Sequence, residues 1–522
     1  MKKIILSLGA ALFMCIASAQ VSKTIDVATA GSFRSVFIAA GGNKTTTTNL
    51  TVTGNINARD VKFMRDSMPA LSILDLAAVQ IKAYNGTGGT SSTVSIYPLN
   101  EMPQESFSFF DTVRQTFISK TTLTSIKLPG SLGSIGYAAF LNCSGLSGTL
   151  FLPSSLKTIG NNAFGGCSSI NCELTIPNSV TDIGDFAFET CTGFTGSLHI
   201  PNSVRTIGDG AFMACSGFTG SLIIPNSVKS IGAASFERCT GFNENLILSN
   251  TLTYIGSNAF YYSTGLSGNL IIPNSVTKID HDAFMGCSGL NGILSIPASV
   301  TSIIDGTFYH CSNLKKIIVN KSTPIVIQEY AVENINKTNC ELIVLSGSKA
   351  AYQAAVGWNL FTHITEAIFV TLDTKGGTPV APITTTLTNS TITAPDVPVR
   401  NGYSFAGWYK EAVCTNAWDF ATDIIITPIT LYAKWTQNPV NITSREISNF
   451  KLYPNPANTT LNLGNLQQNA QISIFSMDGK LMKQQDITTS ESNINIEDFP
   501  KGVYLLKVNN KEVNMVQKFI KQ

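Results

Sequence analysis

Cysteine recurs in this chain at a regular spacing, and its thiol is a group that could form disulfide bonds. Seven cysteines recur at multiples of 24 residues, and Ser263 fills the missing position: Cys143, Cys167, Cys191, Cys215, Cys239, Cys287 and Cys311. Seven thiols cannot pair completely, and neighbouring strands lie about 4.8 Å apart, whereas a disulfide places its Cβ atoms near ~3.8 Å. The spacing therefore predicts small buried thiols. Cys172, Cys340 and Cys414 lie outside this ladder, and their thiol or disulfide state stays open.

A metal site and a catalytic site are both disfavoured by the remaining polar residues. Zinc needs a tetrahedral cluster of His or Cys ligands, and the four histidines do not recur at one position of the period. Glu189 and Glu237 share a position two coils apart, about 10 Å by strand spacing, near the upper limit for a pair that hydrolyses glycosides with inversion. Glutamate at two of eight variable positions is more typical of a solvated face. We therefore expect that the protein is not an enzyme and that it binds no metal and no cofactor.

An apolar column is the strongest candidate for a binding site. It is formed by the middle residue of the recurring Leu-x-Ile triplet: Phe151, Thr175, His199, Ile223, Ile247, Ile271 and Ser295. Alternation in a strand points the flanking Leu and Ile inward and this middle residue outward. Exposed apolar patches often mark interaction sites. Strand propensity alone, or cover by a neighbouring segment, would explain the same residues, and both alternatives stay open.

The element that positions these residues is a repeat of 24 residues. Eight phenylalanines follow the period without a slip: Phe140, Phe164, Phe188, Phe212, Phe236, Phe260, Phe284 and Phe308. A fixed period of this length is typical of a solenoid, in which each coil stacks only on its neighbours. We expect the rings to form a buried spine that begins with Phe107. An additional residue, usually glycine, precedes the strand in the middle coils and predicts a bulge or bend.

The ends of the chain indicate export. Lys2 and Lys3, the apolar run of residues 4–16 and Ala17-Ser18-Ala19 have the features of a signal peptide. The run is too short to span a membrane, and we expect no transmembrane segment in the mature chain. Lys and Arg total 35 against 33 Asp and Glu, and a balance this close gives no electrostatic attraction toward nucleic acid or anionic lipid.

Composition and pattern divide the chain into six parts. They are a signal peptide at 1–19, an N-terminal capping region at 20–100, a solenoid with its C-terminal cap at 101–366, a separate small β-domain at 367–436, a polar linker at 437–449 and a final β-domain at 450–522. The expected fold is mainly β, a leucine-rich-repeat solenoid of 24-residue coils followed by two small β-domains.

The repeated phrase Ile-Pro-Asn-Ser-Val-x-x-Ile-Gly-x-x-Ala-Phe-x-x-Cys closely resembles BspA-like leucine-rich repeats of the Treponema pallidum type. The resemblance covers residues 100–365 and implies a surface or secreted protein, often one that adheres to host matrix proteins. Residues 369–435 resemble a Listeria–Bacteroides repeat, the internalin B-repeat, through Gly402-Tyr403, Gly407-Trp408-Tyr409 and Leu431-Tyr432-Ala433-Lys434-Trp435. That family implies a small spacer or accessory module.

The last part resembles the C-terminal sorting domain of the type IX secretion system. The resemblance rests on motif residues Tyr453, Pro454, Asn455, Pro456, Gly479, Gly502, Tyr504 and Lys518. It implies a Bacteroidota source, the secretion machinery as a partner, and delivery across the outer membrane to the cell surface or medium. We predict an adhesin-like protein whose solenoid contacts a host extracellular matrix protein, another cell surface or a glycan. The alternative is a structural or spacer element without a specific ligand.

Overall fold

A computed structural model describes residues 21–328, 330–386, 389–400, 402–438, 451–464, 470–476, 481–487, 489, 492–509 and 514–522. The signal peptide and most of the predicted linker lie outside the described residues. Two compact units are formed. The first contains the residues up to Arg400 together with Phe405–Trp435, and the second contains Gly402–Ser404 and the residues from Thr436 onward.

The N-terminal region caps the solenoid with helices and longer strands. Helix α2 begins at a capping box, in which the Asn57 side chain accepts from Arg59 N–H at 3.0 Å and the Asp60 carboxylate accepts from Asn57 N–H at 2.9 Å. The elements are β1 (Ser22–Val27), α1 (Phe33–Ala39), β2 (Asn49–Ile56), α2 (Ala58–Ser67), β3 (Ile73–Ile81), β4 (Tyr84–Asn85), β5 (Ile96–Tyr97), β6 (Glu101–Met102), β7 (Ser108–Asp111), β8 (Thr116–Ser119) and β9 (Ser125–Lys127). Strands β1, β2, β3 and β9 form one parallel sheet in that order, which passes directly into the repeats.

Two parallel ladders of very short strands run along the solenoid. In the repeats, the first ladder uses the isoleucine of the recurring Ile-Gly pair and the residue before it. Its strand order is β6-β10-β11-β12-β13-β15-β17-β19. The other uses the Leu-x-Ile triplets and becomes regular only toward the C-terminal coils. The strands are β10 (Ser134–Ile135), β11 (Thr158–Ile159), β12 (Asp182–Ile183), β13 (Thr206–Ile207), β14 (Leu222–Ile223), β15 (Ser230–Ile231), β16 (Leu246–Ile247), β17 (Tyr254–Ile255), β18 (Leu270–Ile271), β19 (Lys278–Ile279), β20 (Ile293–Ile296), β21 (Ser302–Ile303), β22 (Lys316–Val319) and β23 (Val326–Ile327).

The predicted aromatic spine is confirmed. All eight repeat phenylalanines are fully buried. Consecutive rings stack with centroids 5.1–5.6 Å apart and planes within 5–11° of parallel. Phe107 opens the stack at 5.5 Å from Phe140. The coils are therefore held in register by a continuous column of rings.

The thiol ladder is buried beside this spine, as the spacing predicts. Each Cys Sγ–H donates to the carbonyl of the spine phenylalanine one coil earlier, for example Cys215 to Phe188 and Cys239 to Phe212, both at 3.0 Å. Ser263 makes the equivalent bond to Phe236 at 2.6 Å. Serine can therefore replace cysteine without disturbing the coil, because either side chain supplies the donor this carbonyl needs.

The additional glycine takes the conformation that a bend requires. Gly148, Gly196, Gly220 and Gly268 have φ between 72° and 77°, a region that other L-residues rarely adopt. Glu244, which breaks the glycine pattern, instead accepts a hydrogen bond at 2.8 Å from the Ser221 hydroxyl one coil earlier.

The solenoid sheet continues into the module that follows it, which the sequence predicts at residues 367–436. Strand β25 crosses the predicted boundary at 366/367 and pairs in parallel with β24 on one side and β28 on the other. One sheet therefore runs β18-β20-β22-β24-β25-β28-β27. The elements are β24 (Glu341–Leu345), α3 (Lys349–Ala354), a 3-10 turn (Trp358–Leu360), β25 (Ile364–Asp373), β26 (Ile383–Thr385), β27 (Tyr403–Tyr409) and β28 (Ile429–Gln437).

The second unit is a small antiparallel β-sandwich. Its three-stranded sheet is β29-β30-β33 and its four-stranded sheet is β32-β31-β34-β35, with a core of aliphatic residues around Tyr504 and Phe519. The strands are β29 (Lys451–Tyr453), β30 (Thr460–Gly464), β31 (Ala470–Ser476), β32 (Leu481–Ile487), β33 (Ser492–Asn495), β34 (Gly502–Asn509) and β35 (Asn514–Lys521).

Candidate functional site

The outward column is built by alternation along the Leu-x-Ile triplets. In the coil around Ile223, the flanking Leu222 and Ile224 are 0% and 2% exposed, whereas Ile223 is 49% exposed. Ile223 lies in register with Ile247 of the next coil. The repeat thus places one side chain per coil on a common surface. The residue type at this position differs from coil to coil.

The N-terminal half of the column is open to solvent. Phe151 is 73% exposed, and Thr175 and His199 are exposed residues joined by a parallel bridge. Together with Ile223 they form a surface of apolar and neutral side chains, which we call the open face. Two large apolar side chains at this exposure in one column of the solenoid are the kind of patch that marks an interaction site.

The C-terminal half of the column is covered. Ile247 and Ile271 are half-buried, and Ser295 is 5% exposed, so Ser295 is not part of any open surface. The column continues through Ile318 and Ile343, which are buried in a small cluster with Phe369 of strand β25. Cover by a neighbouring segment therefore explains this half, and the segment is the module that follows the solenoid.

Three asparagines hold the module against the solenoid. Asn226 Nδ2 donates to Gly376 O at 2.7 Å, and Asn250 Nδ2 donates to Thr374 Oγ1 at 2.7 Å and also to Gly377 O. Asn320 Nδ2 donates to Thr371 Oγ1 at 3.1 Å. Asn226 and Asn250 occupy the same turn position in adjacent coils, so the repeat itself supplies two of the three attachment points.

The 24-residue period does not predict the contact between the solenoid and the module, and the apolar runs in the last coils are only a partial indication of it. The strands of these coils contain the apolar runs Ile317-Ile318-Val319 and Leu342-Ile343-Val344-Leu345, although a similar run occurs at Leu222-Ile223-Ile224, where the middle residue is open to solvent. A continuous apolar run is typical of a strand buried on both faces. The runs are therefore consistent with cover over the last coils, but they identify neither the coil at which the cover begins nor the segment that provides it.

The ionisable side chains of the first unit include one close carboxylate pair. Burial, and then the charge of Glu237, raise the pKa of the Glu189 carboxyl. Within the described residues, no group of three or more His, Cys, Asp or Glu side chains is placed to hold a metal ion. No helix in the described part of the chain combines the length and the apolar composition needed to cross a bilayer.

The second unit brings the beginning and the end of the sorting-domain motif together. Asn455 Oδ1 accepts from Ile520 N–H at 3.0 Å, and Asn455 Nδ2 donates to Lys518 O at 3.2 Å. Tyr504 stacks on Phe519 at 5.5 Å and donates its hydroxyl to Pro500 O. Gly502 begins β34, whereas Tyr453 ends β29 and leads into Pro454 and Pro456. Gly479 lies outside the described residues.

Three stretches of the chain match known protein families. Residues 111–243, 170–291 and 292–348 match the BspA type leucine-rich repeat region, in six copies. Residues 369–434 match the Listeria–Bacteroides repeat domain, and residues 451–522 match the secretion system C-terminal sorting domain.

Curated relatives share short stretches with this chain. A protein of Evansella cellulosilytica that is named as a membrane protein is 41% identical over 73 residues, or 14% of this chain and 11% of that protein. Internalin H of Listeria monocytogenes is 43% identical over 56 residues, or 10% of either chain. The chain thus spans about a tenth of the length of the curated relatives it matches.

Similarity to solved structures is weaker. PorZ, a surface component of the type-IX secretion system of Porphyromonas gingivalis, gives a TM-score of 0.14 at 18% identity, over 17% of this chain and 14% of that one. The TLR13–ssRNA13 complex gives a TM-score of 0.21 at 12% identity, over 57% of this chain and 46% of that one. Neither score supports a conclusion about this chain.

The fold and the family matches together define a secreted leucine-rich-repeat protein of the cell surface or extracellular space. In particular, the chain carries BspA-type repeats, a Listeria–Bacteroides repeat and a type IX secretion sorting domain, in that order. The sorting domain identifies the type IX machinery as the export route. The repeat and sorting families are non-catalytic kinds of module.

Proposed function

We propose that this protein is a non-enzymatic adhesin-like protein whose solenoid binds a macromolecule outside the cell. The partner is a host extracellular matrix protein, the surface of another cell or a glycan. The observation that supports this most directly is the open face, where Phe151 and Ile223 are 73% and 49% exposed on a rigid stack. A stack held by a continuous ring column presents such a face without loss of order on binding, which favours affinity.

The absence of a charged cluster on the open face favours contact by apolar and hydrogen-bonding groups over electrostatic attraction. Its polar members, Thr175 and His199, can form hydrogen bonds with a partner. Binding through this face should therefore depend weakly on salt, since screening acts mainly on exposed charges.

The test is binding of the full chain to immobilised fibronectin, fibrinogen, mucin and partner cells at low and high salt. We expect saturable binding to one of them that persists at high salt. Release of a new product from any of these substrates, or binding to none of them, would contradict the proposal.

A structural role is the alternative, and one observation favours it. Val326, Val356 and Leu360 are 65%, 82% and 59% exposed at the C-terminal end of the solenoid, and Val356 and Leu360 border a cavity of about 490 Å³. An apolar end of this kind could join copies of the chain. Light scattering of the full chain would show concentration-dependent oligomers under this alternative and a monomer under the adhesin proposal.

A further inference from the structure

A cleft lies between the covered half of the column and the module. It consists of two adjoining cavities of about 290 and 460 Å³. Both cavities are lined by Ile271 from the solenoid and by Pro379 and Val380 from the module. The larger one has the size of known ligand clefts, which enclose roughly 300–1,000 Å³.

The walls of this cleft are fixed in position. The module is anchored at one end by strand β25, which belongs to the solenoid sheet. At the other end the turn of residues 374–377 is held by Asn226 and Asn250. A cleft with both walls fixed is pre-organised, so that a ligand does not have to order it on binding.

The floor of the cleft is aliphatic and its rim is made of amides. Ile247, Ile271, Val380 and Val397 supply apolar surface. Exposed asparagines at the rim include Asn245, Asn269 and Asn274. Asn269 uses its Oδ1 to accept from Ile293 N–H at 2.8 Å, which leaves its NH2 group to donate to a ligand.

The charges that line the cleft restrict the ligand further. Both charged side chains on the walls are carboxylates, Asp373 and Asp396, and the lining residues include no Lys, Arg or His. Sulfated glycans and nucleic acids would be repelled, because anion sites are built from cations and N–H donors. No aromatic ring lines either cavity, so a sugar ring finds no stacking surface.

We propose that this cleft binds an extended segment of the partner polypeptide. Apolar side chains of the segment contact Ile247, Ile271 and Val380, and its backbone groups bond to the amides of the rim, as buried backbone groups require. A basic side chain of the segment pairs with Asp396. The inference rests on the proposed function and assigns part of it to a site that needs both the solenoid and the module.

The experiment measures binding of the full chain to an array of short overlapping peptides from fibronectin and fibrinogen, with heparin as the anionic competitor. Val397→Lys places a cation at the cleft, where it opposes the basic side chain of the segment, and Val399→Lys is the matched control. These valines are 66% and 67% exposed, and of the two only Val397 lines the cleft. Circular dichroism confirms that both variants fold, which their exposure favours.

We expect Val397→Lys to weaken peptide binding by about tenfold or more, a change of ~1.4 kcal/mol, with Val399→Lys unchanged and heparin without effect. Equal binding by the two variants, competition by heparin, or no peptide bound would overturn the cleft proposal. If intact matrix protein still binds in any of these cases, the adhesin proposal stands and the cleft alone is wrong. If the full chain binds nothing, both are wrong.

Discussion

At the scale of single residues, two columns hold the solenoid together. The ring column supplies buried apolar surface, and the thiol beside it satisfies the carbonyl of the ring residue one coil earlier. Each coil therefore depends on its neighbour for both packing and hydrogen bonding. Substitutions in these columns should affect stability far more than equally large changes on the surface.

Truncation of one spine ring tests this directly. Phe212→Ala removes a fully buried ring that stacks on both neighbours, and we expect a loss of about 3–5 kcal/mol in the free energy of unfolding. Phe151→Ala, at an exposed ring, should change it by less than ~0.5 kcal/mol. Urea denaturation of the two variants provides the comparison, and similar losses would show that the spine is not the main source of stability.

The buried thiols make stability depend on alkaline pH. Burial raises the pKa of the Cys191 and Cys239 thiols to about 12, from an ordinary value of 9.0. Between these values the unfolded chain loses protons that the folded chain keeps, so the stability is full below about pH 9 and falls as the pH rises toward about 12. Urea unfolding at pH 8 and pH 10 should show a smaller decline in Cys239→Ser than in the unchanged protein.

Burial of the ladder thiols also predicts that they react slowly with thiol reagents. At pH 8 a maleimide should label the partly exposed Cys172 and leave the ladder unmodified until the chain is unfolded, because the thiolate is the reactive form. Rapid labelling of ladder cysteines in a folded Cys172→Ser variant, distinguished from Cys340 and Cys414 by peptide mass mapping, would show that the ladder is accessible and the proposed packing is wrong.

One turn position has a left-handed backbone in each coil from residue 142 to residue 310, and in one coil it holds the β-branched Thr190. Thr190 has φ of 54°, at a position where Gly166 and Gly286 stand in other coils with φ near 73–74°. A left-handed conformation costs roughly 1–2 kcal/mol for an L-residue, and substitution by glycine would remove this cost. Part of that gain is offset because glycine increases the conformational entropy of the unfolded chain. Thr190→Gly should therefore raise the free energy of unfolding by about 0.5–1 kcal/mol, measured by urea denaturation. A destabilised variant would contradict this.

At the scale of elements, the period predicted the coils, the spine, the thiol ladder and the alternation that puts Ile223 outward. It did not predict that the module covers Ile271, Ser295 and the coils beyond them. The contact joins side chains such as Asn226 to a turn 150 residues later, and no periodicity relates the two. Local patterning determines each coil, whereas this docking depends on surfaces that exist only after both parts have folded.

Asn250→Ala tests the docking of the module. The variant removes the bonds to Thr374 and Gly377, so we expect faster amide hydrogen exchange in residues 374–382 with unchanged exchange in the spine coils. Asn202→Ala is the matched control, since Asn202 is the exposed residue at the same turn position one coil before Asn226. Equal exchange in both variants would show that the asparagine contacts do not hold the module.

At the scale of the whole molecule, the chain combines a sorting tail for export with a rigid stack for presentation. A solenoid is quasi-one-dimensional, so each coil adds surface without altering distant coils. The open face is the part of the Leu-x-Ile column that the module does not cover. We propose that the protein binds its partner there.

The most direct test is Ile223→Lys in the full chain, assayed on the surface that binds the unchanged protein, with Val326→Lys as control. Both residues are exposed, at 49% and 65%, so both variants should fold, which circular dichroism would confirm. We predict that Ile223→Lys loses binding by about tenfold or more, because a charge would be buried in the contact, while Val326→Lys binds normally. Unchanged binding by Ile223→Lys would contradict the assignment of the partner to the open face.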